Sequence, residues 1–115
     1  MALVDDVLSA LQEGARAGVA TVKQSGRDIS EDIETFVIPH LADVGVHIAS
    51  IVQKRANNIY TDVTARDLLD SQRDAIKTIV EIAVTLLVLE VQKLIDAIWS
   101  ALGSLVNRVL GVALL

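Results

Sequence analysis

His40, Asp43 and His47 are the residues whose types and spacing come nearest to chemistry in this sequence. They fall at i, i+3 and i+7, so a helix would place all three on one face. A histidine and an aspartate one turn apart can share a metal ion. The two imidazoles, however, would lie about 10 Å apart along the axis, too far for one coordination sphere. The expected arrangement is therefore half-buried histidines with Asp43 as a local partner, and no metal.

Glu81 and Glu90 come next, because each sits among aliphatic residues; Glu90 is flanked by Leu89 and Val91. Acid–base catalysis needs carboxylates held in a cleft that displaces their ionisation. Glu90 reads instead as a specificity device, paired with Lys93 or with a basic residue of a neighbouring subunit. The chain contains no Walker loop, dinucleotide fingerprint, nucleophile elbow or HExxH motif. Having no cysteine, it has no disulfide, thiolate metal site or thiol redox chemistry. An enzyme is not expected, nor a cofactor or a small-molecule substrate.

Composition narrows the partners further. The 115 residues make one domain's worth of chain, 52% of it apolar but only 3% aromatic, so stacking surfaces for bases, sugars and flat cofactors are nearly absent. The net charge of -5 is unevenly placed: residues 1–74 carry seven Lys/Arg and twelve Asp/Glu, and residues 75–115 three of each. Clustered cations are needed to neutralise phosphates, and Lys54-Arg55 is the only basic doublet, so nucleic acid is not an expected partner. The N-terminal segment lacks a basic flank and a sustained apolar run, which predicts cytoplasmic synthesis without a signal peptide.

One proline and six glycines leave too few corners for a β fold, and the apolar spacing is helical. Leu3, Val7, Leu8, Leu11, Ala15, Val19 and Val22 predict a helix over 2–24, ending near Ser25-Gly26. Gly14 and Gly18 on it either admit a second backbone at close range or are incidental to an Ala/Gly-rich stretch. A second helix over 28–57 starts at an Asp28/Glu31 capping pair. Its apolar stripe stays in phase across Pro39, as expected of one helix kinked at the proline.

A third helix is predicted over 64–110, capped by Thr64 with Asp67 and possessing no strong breaker before Gly103. Asp70, Asp74, Lys77, Glu81, Thr85, Gln92, Asp96 and Asn107 trace one thin polar stripe along it. Several of these positions repeat every eleven residues, a period of 3.67 per turn that does not drift around a straight helix. As one rod this helix would be roughly 70 Å long, whereas a compact domain of about this size has a radius of gyration near 13 Å. A bend near 100–104 or an elongated molecule follows.

The apolar remainder of that helix exceeds what a lone chain is expected to hide. Five charges, Lys77, Glu81, Glu90, Lys93 and Asp96, oppose membrane insertion of 76–96, at up to about +3 kcal/mol for each central charge. Residues 97–115 are more permissive, with Arg108 near enough to the end to snorkel. Protein burial is the first expectation: an all-α bundle of three to four helices completed by oligomerisation. Its contacts are expected at Leu86, Leu87, Leu89, Leu94, Ile98, Trp99, Leu102, Leu105, Val109 and Leu110. The function so implied is structural, a building block of a virion, secretion or membrane-associated assembly. The alternatives are a holin-like or pore-forming protein inserting 97–115, and a soluble regulator that binds a partner helix.

Overall fold

The structure is a computed structural model that describes residues 3–23, 29–83, 88–111 and 115. All-α architecture follows the sequence expectation. The described residues form four helices: α1 (Leu3–Lys23), α2 (Ser30–Ala56), α3 (Asp62–Ala83) and α4 (Val88–Leu110). Ser25, Gly26 and Asp28, the expected end of the first helix and cap of the second, lie outside the described residues. The bundle measures 45 × 26 × 21 Å, with a radius of gyration of 14.0 Å.

The helices neighbour one another in the order α4–α1–α2–α3 and back to α4, and each runs antiparallel to its neighbours, as cross-helix pairs such as Gly14 with Ile98, Gly18 with Leu94 and Arg16 with Glu34 require. One core fills the space between them. Val7, Leu11 and Ala15 of α1 meet Ile33, Leu41 and Ile48 of α2, Leu69, Ile76 and Val80 of α3, and Leu94, Ile98 and Leu102 of α4. No charged or polar side chain among the described residues is buried in it, so the core rests on aliphatic burial at about 25 cal/mol per Å².

The expected single helix over 64–110 is two helices in the structure. Arg73 Nη2 lies 2.7 Å from Asp96 Oδ1, although 23 residues of unbroken helix would separate them by about 34 Å. The chain therefore folds back between Ala83 and Val88 without a glycine or proline to mark the place. The energetic reason is burial. Two helices in place of one leave extra terminal N–H and C=O groups without intrahelical partners, at about 0.5–1.5 kcal/mol net for each hydrogen bond. Reversal places Leu69, Ile76, Val80, Val91, Leu94, Ile95, Ile98 and Leu102 in a common core, at about 1.5–3 kcal/mol per side chain. Burial wins. Through 100–104, where a bend is expected, the helical turns of α4 run on, with Ser104 Oγ donating to the Ser100 carbonyl at 3.3 Å.

In α2 the helical turns run on through Pro39, and the apolar stripe stays on one side from Ile33 to Val52. A widened π turn, Ile33–Val37, ends two residues before the proline, with the Ile38 N–H donating to the Ile33 carbonyl. Proline supplies no N–H to the preceding turn, and a π turn is one way for a helix to absorb that mismatch. Arg16 of α1 and Glu34 of α2 pair across the outside at 2.8 Å. That guanidinium holds the Glu34 carboxyl below the usual carboxylate range, chiefly through the side-chain hydrogen bond. The pair's contribution is present above the ordinary carboxylate range and is lost as pH falls through the Glu34 titration. Arg16→Gln is expected to move that titration upward, as read by carbon NMR of the Glu34 carboxyl.

The link between α2 and α3 has its own local logic. Asn58 adopts a left-handed φ of 61° just past the end of α2, and the Ile59 and Tyr60 N–H groups donate back to the Lys54 carbonyl. This is the terminus that glycine accommodates most cheaply. Asn58→Gly is expected to leave the fold intact and raise stability slightly, by less than about 1 kcal/mol; Asn58→Val is expected to lower it by about 1–2 kcal/mol, both read by urea unfolding. Thr61, rather than Thr64, caps α3: its Oγ1 accepts the Thr64 N–H at 3.2 Å. The helix consequently starts at Asp62, two residues ahead of the expected position.

Candidate interaction surfaces

The α1–α4 crossing decides what the C-terminal helix can offer to others. Gly14 leaves so little room that a Cβ there would sit 2.6 Å from the Ile98 Cα and 3.0 Å from the Ala97 carbonyl oxygen. Gly18, one turn on, lies against the Leu94 side chain and the Ala97 methyl. The spacing of the two glycines is thus a close helix–helix approach. Through it α1 covers much of the surface expected to meet partners. Leu94, Ile98 and Leu102 are fully buried and Leu105 nearly so, all inside this chain's own core. Trp99 and Leu110 are half-buried. Of the expected contact residues only Leu89, 75% exposed, and Val109 lie open to solvent; Leu86 and Leu87 lie outside the described residues.

The polar stripe is rearranged by the same reversal. Asp70, Asp74, Lys77 and Glu81 on α3 and Gln92 and Asp96 on α4 are exposed, and Asn107 is half-buried; Thr85 lies outside the described residues. Instead of one line along a rod, Asp70, Asp74 and Lys77 face Gln92 across an open groove between α3 and α4. Arg73 spans the groove, donating to Asp96 Oδ1, which also accepts from Gln92 Nε2 at 2.8 Å. The Arg73 guanidinium lies 5.8 Å from the centre of the Trp99 ring. Clefts of about 440 and 410 Å³ flank this bridge. The Arg73 guanidinium is engaged by Asp96 and lies beside the Trp99 ring, so this bridge ties α3 to α4 along the groove. Exposed pairs of this kind contribute about 0–1 kcal/mol each. At the far end of the groove Asn107 grips the backbone of Leu115, donating from Nδ2 to its carbonyl at 3.1 Å and accepting its N–H at 2.9 Å.

The chemically suggestive residues are dispersed. His40, Asp43 and His47 are exposed, not half-buried as expected. Their face of α2 points to solvent because the core takes Leu41, Val44 and Ile48 instead. His40 Nδ1 lies 2.7 Å from the Phe36 carbonyl, and the two rings stack at 4.1 Å. Glu81 is exposed. Glu90 retains only 14% of its side-chain exposure; its Oε1 lies 3.8 Å from Lys93 Nζ, the expected partner.

Large exposed apolar side chains concentrate at the two ends of the bundle. Ile82 and Leu89, 68% and 75% exposed, mark the end where α3 gives way to α4. Ile59 and Val63, each 65% exposed, mark the opposite end together with Val109; Val46, on the outer side of α2, is the exception. Helical phase contained part of this signal. Ala65, Leu69, Ile76 and Val80 set the buried line of α3, and Val63 and Ile82 fall off it. Ile82 is inconspicuous in the sequence because one rod over 64–110 has no end there, and Ile59 and Val63 lie ahead of that rod, where no apolar period marks them.

No family model matches the chain, and neither does any curated protein or any solved structure. What fold and surface define is an all-α, four-helix, bundle-like domain with apolar ends and polar flanks.

Proposed function

We propose that this chain is a non-catalytic structural module that joins a larger assembly through the ends of its bundle. The placement of Ile59 and Val63 at one end, and of Ile82 and Leu89 at the other, carries this reading. Exposed apolar side chains gathered in small patches mark contact sites. The long sides are occupied by paired charges, such as Arg16–Glu34 and Arg73–Asp96. The reading keeps the assembly function expected from the sequence and moves its contacts from the buried face of α4 to the ends.

The test is the native mass of the protein in a cell extract, compared with its 12.3 kDa chain mass, with and without mild detergent. A particle several times that mass, unchanged by detergent, is the expected result. A 12.3 kDa species in extract overturns the assembly reading. Co-flotation with lipid vesicles, abolished by detergent, would replace it with the membrane-inserting alternative.

A further inference from the structure

We infer that Asn107 is the centre of a peptide-backbone recognition site in the cleft between α3 and α4, and that its ligand is an extended segment of a partner protein carrying a leucine-like side chain. The chain's own Leu115 sits there and shows the chemistry. One carboxamide takes both peptide groups of that residue: Asn107 Nδ2 donates to the Leu115 carbonyl at 3.1 Å, and Asn107 Oδ1 accepts the Leu115 N–H at 2.9 Å. In an extended residue the N–H and C=O point to the same side, whereas in a helical one they point to opposite ends. A strand in a hydrogen-bonded antiparallel pair satisfies its neighbour with the same two bonds. The asparagine side chain carries that donor and acceptor side by side, so Asn107 does the work of a strand edge on the surface of a helix.

The side chain has its own place. The Leu115 Cβ lies over the buried Gly103, 3.6 Å from where a Cβ of that glycine would stand, and the leucine packs against the edge of the core. Trp99, Asp96 and Arg73 continue the wall of the same cleft, about 410 Å³ in volume. The chain leaves α4 at Gly111, which has a left-handed φ of 70°. Main-chain bonds are blind to sequence, and an aliphatic contact is blind to which chain supplies it, so a partner's extended segment makes the same contacts in trans. It competes with Leu115, whose short tether gives an effective concentration in the millimolar range. Leu115 is thus a resident competitor, and the site opens where a partner is held close or Leu115 is drawn away.

The test is titration of N-acetyl-Ala-Leu-Leu-amide, to about 10 mM so as to exceed the effective concentration of the tether, into the nitrogen-15-labelled full chain and its Leu115→Pro variant. The signals followed are the Asn107 side-chain NH2 and the Trp99 indole N–H. Proline offers Asn107 Oδ1 no N–H and lacks the leucine branch, so the variant's own residue competes poorly. Leu115→Pro is expected to bind the peptide about tenfold more tightly than wild type, and adding Asn107→Ala to it is expected to remove the binding. The same peptide N-methylated at its last leucine lacks the N–H that Asn107 accepts and is expected to give no saturable shift, a comparison that holds even if Asn107→Ala does not fold. No saturable shift in Leu115→Pro overturns the site. Equal binding of the N-methylated peptide overturns backbone recognition by Asn107, and equal affinity of wild type and Leu115→Pro overturns Leu115 as the resident competitor.

Discussion

Gly14→Leu is expected to abolish the native fold or lower its stability by about 3 kcal/mol or more. The first atom of any side chain at this position meets the Ile98 Cα at 2.6 Å and the Ala97 carbonyl oxygen at 3.0 Å. Backbone atoms of a packed helix cannot rotate aside as a side chain can, so α1 and α4 must separate. Overpacking costs about 1–3 kcal/mol even where neighbours can adjust, and here they are backbone. Gly14→Ala carries the same clash, offset by about 1 kcal/mol of helix propensity, and is expected to cost about 1–2 kcal/mol. Gly18→Ala is the internal comparison. Its nearest obstacle is the Leu94 Cδ1 methyl, the far end of a flexible side chain, so a loss below about 1 kcal/mol is expected. Equilibrium urea unfolding of the three variants reads the order directly. Equal effects at positions 14 and 18 would contradict a close backbone approach centred on Gly14.

The second large effect separates the core of α4 from its surface. Leu102→Ala is expected to cost about 2–5 kcal/mol, the range for emptying a fully buried leucine site. Leu89→Ala, at a side chain 75% exposed, is expected to change the stability of the monomer by no more than about 0.5 kcal/mol. Both residues belong to the apolar surface that the sequence assigns to partners. If that whole surface served association alone, neither substitution would affect a dilute monomer, whereas both would weaken the oligomer. A midpoint shift confined to Leu102→Ala identifies Leu102 as core. An equal shift for both would place Leu89 inside the fold as well.

The apolar excess that dominates the sequence has a different use in three dimensions. A reader of the chain sees Leu94, Ile98, Leu102 and Leu105 as more apolar surface than three helices can hide. A rod would have only one set of neighbours along its length. Reversal between Ala83 and Val88 supplies a fourth wall from the same chain, and most of the excess is absorbed there. Most of the large apolar side chains that remain exposed sit at the ends, Val46 apart, which is why the assembly proposed above is end-on rather than a bundle built from several chains.

Local patterns were legible to the extent that the responsible forces are local. Steps of three and four placed α1 and α2 within a few residues, and the stripe through Pro39 was read in phase because a side chain's angular position on a helix depends only on its number. The spacing of Gly14 and Gly18 was visible, and so was the pairing of Glu90 with Lys93, one turn away. The absence of catalytic motifs and the acidic character of the first two thirds were also properties of the chain alone.

Only the tertiary structure decided where the long apolar segment turns back, and three consequences depended on it. Arg73 and Asp96 became partners across a groove, the single polar stripe became its two walls, and Ile82 and Leu89 became an exposed end. The physical reason is that this reversal follows from the burial of two helical faces in one core, a sum over many distant contacts. Nothing in the sequence between Ala83 and Val88 forbids a helix, so no local preference announces that α3 and α4 are separate helices. The sequence by itself determined that this protein is helical and has apolar surface to dispose of. Packing determined that most of that surface is spent on the chain's own core.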